Sequence, residues 1–324
     1  MEASATGSLI TVNIHGKPLE KLIEVVSKGI GTLYRPRKIR KEADAQAYAI
    51  KVLEKAKAEA GADSVSIEAD TVERICQRLV AQEVRRQNNI DSVVEATAEE
   101  MKGKQVSDEP VGDDWSTRFF GYVQNVSEKD MQAIWAKILA REIEKPNSFS
   151  IRLLNLMSML SRKEAEVIGN MAQYVVYDYT TNDAYIFNSR VIEEFKFNDV
   201  MLLMELGLLD GASNLAITLD KNEADSINLL LTKRETGLFF SSTKEHMYVH
   251  IYKLTSLGRE IMQLVDGAEL NINYVREFAE ELMRGDNTIS VLCAKITKLV
   301  DNDVELDEEH AYVKLGAKYD KKEV

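Results

Sequence analysis

Apolar residues recur at spacings of three and four along roughly the first half of the chain, and the pattern changes after that. Leu19, Leu22, Ile23, Val26, Ile30, Leu33 and Tyr34 gather on one face, with Glu20, Lys21, Glu24, Ser27 and Lys28 opposite. That spacing predicts an amphipathic helix over 18–34. Gly29 and Gly31 weaken its last turns by roughly 1 kcal/mol each relative to alanine. Residues 39–60 are alanine-rich and stop at Gly61, which reads as a helix with few large side chains to bury. In the next helix Asp70 is the cap and Glu73 stands at the third position. Val72, Ile75, Cys76, Leu79, Val80 and Val84 form its seam, continued weakly by Ile90, Val94 and Met101. The polar run Arg85 to Asn89 reads as a solvated face, with a kink or a subunit contact as the alternatives. Two long helices joined by a tight turn predict a helical hairpin, a common means of oligomerisation.

A polar stretch over 103–112, holding Pro110, reads as a linker. Beyond it, Ser127 with Asp130 predicts an acidic variant of the capping box. Met131, Ile134, Trp135, Ile138 and Leu139 then share one helix face, Pro146 ends that helix and Ser150 starts the next. A second capping box, Ser161 with Glu164, leads a helix to about residue 173. From 174 to 187 the residues are aromatic and β-branched around Thr-Asn-Asp, the pattern of a β-hairpin. Helical segments over 189–195 and 199–206 precede Gly207. Strand-like runs follow at 215–219, 227–232, 237–241 and 247–254, then a helix opened by Leu-Thr-Ser-Leu-Gly. This order resembles a winged-helix module with an enlarged wing. Two more amphipathic helices are predicted, one on Tyr274, Val275, Phe278, Ala279, Leu282 and Met283, the other on Ile289, Leu292, Cys293, Ile296, Leu299 and Val300. The predicted fold class is mainly α with a smaller α+β part. Its domains are a basic arm with a long helical hairpin over 1–103, a central helical domain over 104–173, a winged-helix-like α/β module over 174–266, and C-terminal helices with an acidic tail over 267–324.

Three motifs carry a resemblance to a known group. They are Asp113-Asp114-Trp115-Ser-Thr-Arg118, the segment 134–143 with Trp135 and Ala140, and the P-x-S-x-S-x-R run from Pro146 to Arg152. With the N-terminal block 17–43, K-P-L-x-K-L-I-E-V-V and Y-R-P-R-K-I-R-K-E-A, they resemble an uncharacterised bacterial domain family of unknown function. That family is related to the abortive-infection alpha proteins of phage defence. The resemblance implies a defence context and carries over no reaction. Asp113, Asp114, Trp115, Arg118, Trp135 and Arg152 are its signature positions, read as structural. Asp113 and Asp114 are explained as a helix cap and a first-turn acid. For Arg118 and Arg152, buried ion pairs and a ligand clamp both stay open.

Composition narrows the class. With 324 residues, 45% apolar and 29% charged, the chain has enough apolar surface for a real core, and the length suggests two or three domains. No apolar run approaches the ~18 residues a membrane helix needs, and the start M-E-A-S-A-T-G lacks the order of a signal peptide. Cys76 and Cys293 read as buried free thiols of a reducing compartment, so the expected location is the cytoplasm, with peripheral contact at the inner membrane as an addition.

The net charge of −12 is uneven, because residues 17–57 hold eleven Lys/Arg and five Asp/Glu. Arg35, Arg37, Lys38, Arg40 and Lys41 therefore become candidates for membrane or partner contact. At about 1 kcal/mol per basic residue they supply at most ~5 kcal/mol, enough only for reversible attachment. The favoured alternative packs the apolar helix face on the protein or on another subunit. In the winged-helix reading Lys233, Arg234 and Lys244 are the candidates for nucleic-acid contact. The presumed recognition helix over 189–206 carries Arg190 and Lys196 against Glu193, Glu194, Asp199 and Glu205, a sign that phosphates repel, so protein binding is favoured over DNA.

The chemical motifs are missing: there is no P-loop, C-x-x-C, H-E-x-x-H or G-x-S-x-G. His246 and His250, four apart in a strand, would share a sheet face ~13 Å apart, too far to hold one metal ion. No catalytic residue, metal or cofactor is named. The expectation is a non-enzymatic, self-associating anti-phage protein of the abortive-infection type, acting through a phage or host protein or a membrane. A DNA-binding regulator and an enzyme with an unrecognised site are the alternatives.

Overall fold

The computed structural model describes residues 16–32, 34, 69–188, 197–210, 215–221, 227–265, 267–300, 303–316 and 318–319. The chain divides into two compact units, Met1–Ser158 and Met159–Val324. The alanine-rich stretch and the basic positions Arg35, Arg37, Lys38, Arg40 and Lys41 lie outside the described residues, as does the predicted helix over 189–195.

The first unit is helical. Helix α1 (Lys17–Ile30) begins with Pro18 in its first turn and ends at Gly31 in the left-handed region. Its Leu22, Val25 and Val26 are buried against α3 (Asp113–Val123), so this apolar face is taken up inside the unit. Gly29 is there because the two helices nearly touch. A Cβ at that position would stand 2.2 Å from Phe120 Cδ2 and 2.7 Å from the Ser116 carbonyl oxygen. Lys28 bridges to Asp113 at 3.2 Å, and Lys17 pairs with Asp108.

Helix α2 (Ala69–Glu100) buries only its second half, through Asn89, Ile90, Val93, Val94, Thr97 and Ala98. That half packs on α4 (Lys129–Glu144), whose Trp135, Ala136, Ile138, Leu139 and Ile143 are also buried. The predicted cap of α4 is corrected. Glu128 takes the cap position without a side-chain bond, and Ser127 instead accepts from Asn89 Nδ2 at 3.3 Å. Helix α5 (Ile151–Met159) follows the loop after Pro146.

The second unit overturns the mainly-α expectation. Helix α6 (Arg162–Met171) opens with the predicted capping box, Ser161 with Glu164, and runs into a 3-10 turn, Ala172–Tyr174. The predicted hairpin is β1 (Val176–Asp178) with β2 (Ala184–Phe187). Helix α7 (Phe197–Glu205) ends at Gly207, left-handed as expected. The strand-like runs are β3 (Ala216–Asp220), β4 (Ile227–Lys233), β5 (Thr236–Ser242) and β6 (His246–Lys253). Helices α8 (Ser256–Met262) and α9 (Ile272–Gly285) follow, capped by the side chains of Thr255 and Asn271. The last segments are β7 (Ser290–Val300), β8 (Asp303–Leu306) and β9 (Val313–Gly316).

These nine strands make one antiparallel sheet in the order β3-β6-β2-β1-β4-β5-β7-β8, with β9 also on β7. The stretch 232–259 read as a wing holds β5 and β6, which are not neighbours among the described strands: β5 lies between β4 and β7, and β6 between β3 and β2. The second predicted C-terminal helix is strand β7. Ser290, Val291, Leu292, Cys293 and Ala294 are all buried, since both faces and both edges of the strand are covered there. A strand buried on two faces shows no alternation, so its apolar residues also satisfy a helical spacing. Helix α9 lies on the sheet through Phe278, stacked 4.1 Å from Phe187, and through Tyr274, whose hydroxyl accepts the Phe187 N–H at 2.6 Å.

Candidate functional site

Of the signature residues, Trp115 meets the loop that follows α4. Pro146 stops α4, and Asn147 turns the chain with φ 67. The backbone N–H groups this leaves inside the unit need acceptors. Glu142, which is buried, provides them: Oε1 accepts from Asn147 N at 2.7 Å and Oε2 from Phe149 N at 3.0 Å. Trp115 Nε1 donates to the Phe149 carbonyl at 2.9 Å, joining α3 to the same turn. Trp115 also stacks on Phe119, which meets Trp135 edge-on at 5.4 Å. The run from Pro146 to Arg152 is therefore a clamp between helices.

Arg118 and Arg152 are both exposed. Arg118 bonds Asp114 one turn away at 3.1 Å, and neither arginine forms the buried pair the sequence left open. Glu142 was not singled out in the sequence. Its signal is an acid in the last turn of a helix, where the helix dipole disfavours it unless non-helical N–H groups hold it. A second polar knot holds the α3–α4 connection: Asn89 Nδ2 donates to Gln124 O at 2.9 Å, and Gln132 Nε2 to Val126 O at 2.8 Å.

The basic residues proposed for nucleic acid do not act together. Lys233 points inward, and its Nζ donates to the Ala172 carbonyl at 2.7 Å. Burial, with Arg234 beside it, lowers its pKa to about 8. Arg234 is exposed at the β4–β5 turn with φ 54. Lys244 stands at the other end of β5 and is paired with Asp286 at 3.0 Å. One is buried, one is outward and one is neutralised, which is no track for a phosphate backbone.

Several titratable groups surround Asp183 in the β1–β2 turn. Its two oxygens take Lys253 Nζ at 2.6 Å and Arg259 Nη1 at 3.0 Å, and Tyr185 donates its hydroxyl at 3.4 Å. In the same turn burial opposes ionisation of Asp178, yet hydrogen bonds from Thr180 and Thr181 outweigh it and keep its carboxyl low. A carboxylate shared by two cations fastens the turn to β6 and α8. Among the described residues no three His, Cys, Asp or Glu side chains gather to hold a metal, and no helix is long and apolar enough to cross a membrane. Both cysteines are free. The Cys293 thiol is pushed up to about 12 by burial, which makes it inert. His246 and His250 share one face of β6 as predicted, and that face is exposed; His246 Nδ1 meets Asp220 across the strand pair at 2.6 Å.

The exposed side chains give a different picture. Phe197 and Met201, one turn apart on α7, are 75% and 46% exposed. On α2, Leu79 and Val84 are 38% and 36% exposed. Tyr248 projects from β6 between the two histidines. A family model described as protein of unknown function (DUF2806) matches residues 73–279, more than half of the chain, from α2 into α9. No curated protein and no solved structure matches the sequence.

Proposed function

The chain belongs to that family of proteins of unknown function, DUF2806, and we propose that it works as a non-enzymatic, self-associating interaction protein of anti-phage defence. The defence context rests on the resemblance of residues 17–43, 113–118, 134–143 and 146–152 to the abortive-infection alpha group. The interaction reading is carried by Phe197 and Met201, whose side chains stand in solvent on one face of α7. Large apolar groups so placed lower the free energy of the molecule only when a partner covers them. The commitment of Glu142, Asn89, Gln132 and Lys233 to backbone groups adds support, since the polar side chains in the interior serve the fold. In this reading the partner is a phage or host protein met in the cytoplasm.

The test is phage plating on cells carrying Phe197→Ser/Met201→Ser. The double variant should lose protection by 10-fold or more while its melting temperature and mass in solution match the parent. Unchanged protection, or turnover of a nucleic acid or nucleotide substrate by the pure protein, would refute the reading.

A further inference from the structure

The methionines of this chain divide by exposure. Among the described residues Met101, Met157, Met171, Met247 and Met262 are buried, and Met131, Met204 and Met283 are half-buried. Two stand out in water: Met159 at the end of α5, 68% exposed, and Met201 on α7, 46% exposed. Met201 differs from Met159 in its setting. It lies one turn from Phe197, in the apolar pair that carries the interaction reading. That pair has one chemically vulnerable member. A thioether sulfur in water is open to oxidation, whereas the phenyl ring of Phe197 is inert to the same reagents.

We infer that Met201 is an oxidation site and that its sulfoxide disables the α7 face. The co-reactant is a hydroperoxide, of which hydrogen peroxide is the simplest. The sulfur lone pair attacks one peroxide oxygen, an S–O bond forms and the O–O bond breaks. The hydroxide released takes the proton from the transferred oxygen and leaves as water. Sulfur is oxidised by two electrons and the peroxide is reduced by two. The product is polar where the parent side chain was apolar and adaptable. A partner that covers Phe197 and Met201 must then strip water from a strong acceptor, while the fold keeps its buried core intact. The inference rests on the proposed use of this face and adds a condition under which the face is switched off.

Peptide mass mapping of the folded full chain in hydrogen peroxide reads the site. Met159 and Met201 should each gain one oxygen at least 10-fold faster than the five buried methionines, with an unchanged melting temperature. Retention on a phenyl column should fall when Met159→Leu is oxidised and should not fall for Met159→Leu/Met201→Leu. In phage plating, Met201→Gln, which sets an amide oxygen where the sulfoxide oxygen would stand, should lose protection by 10-fold or more. Met201→Leu should keep protection in cells given enough peroxide to disarm the parent. A Met201 that oxidises no faster than the buried methionines, or an unmoved column retention, overturns the inference. Full protection by Met201→Gln, beside loss of protection in Phe197→Ser/Met201→Ser, overturns the oxidation switch and leaves the α7 face standing. Full protection by both variants overturns the face and the switch together.

Discussion

The two units of this protein satisfy their backbones in different ways. In the helical unit, each helix end leaves N–H and C=O groups that the helix itself cannot pair. Distant side chains complete them: Glu142 for Asn147 and Phe149, Trp115 for Phe149, Asn89 for Gln124, and Gln132 for Val126. In the sheet unit the strands pair with one another, so the ladders do most of that work and side chains such as Tyr274 and Lys233 complete single groups. Helical loops thereby place strong demands on individual residues, and those demands surface as local motifs. A sheet spreads its demands over backbone geometry, where the residue type matters less.

The comparison is broken most directly by deleting a loop-holding acid. Glu142→Ala should cost about 2–4 kcal/mol, because the buried Phe149 N–H and the part-buried Asn147 N–H lose a charged acceptor, while Glu142→Gln should cost less by keeping one acceptor. Urea unfolding would read the difference, and the alanine variant should also be nicked by protease near residue 147. In the sheet unit the sensitive positions should be backbone approaches instead. At Gly316, with φ 104, a Cβ would lie 2.2 Å from the Ile289 carbonyl oxygen. Gly316→Ala should therefore cost about 1–3 kcal/mol.

Lys233 sharpens the contrast further, as a side chain the sheet unit tolerates at a cost. Its amine titrates at about 8 when folded and 10.5 when free, so between those values the unfolded chain binds the extra proton. Stability must then rise with pH across that window and level off above it. Lys233→Met should remove a rise on the order of 2 kcal/mol, and at neutral pH it should be at least as stable as the parent. Denaturant midpoints of the two proteins at several pH values would show their difference shrinking as pH increases. At the small end, Arg118→Ala should change stability by less than about 0.5 kcal/mol, since its bond to Asp114 lies in water.

The same physical division governs what could be read from the residues. The helices at 129–144 and 272–285 were legible because their buried faces repeat at helical spacing. Strands β3 to β6 were legible one by one, but not the single sheet that joins them. Sheet order depends on pairings between segments far apart in the chain, such as Tyr177 with Thr232 and Leu238 with Cys293. Strand β7 was misread because burial on both faces erases the alternation of two. Lys233 was misassigned because a basic residue in a presumed wing looks solvated, and only the sheet shows that it turns inward to Ala172. In the signature, Trp115 and Trp135 are buried and Arg118 and Arg152 are exposed, while the loop-holding acid, Glu142, carried no motif of its own.

Both indoles of the chain lie within the first unit, Trp115 bonded to a carbonyl and Trp135 with its ring nitrogen shielded from water and without an acceptor among the described residues. Intrinsic tryptophan fluorescence is accordingly a private reporter of the helices, with a blue-shifted folded signal dominated by a dry ring. Circular dichroism records both units at once. A single protein without labels can thus reveal, by whether the two optical traces coincide, if helices and sheet come apart as one or in succession.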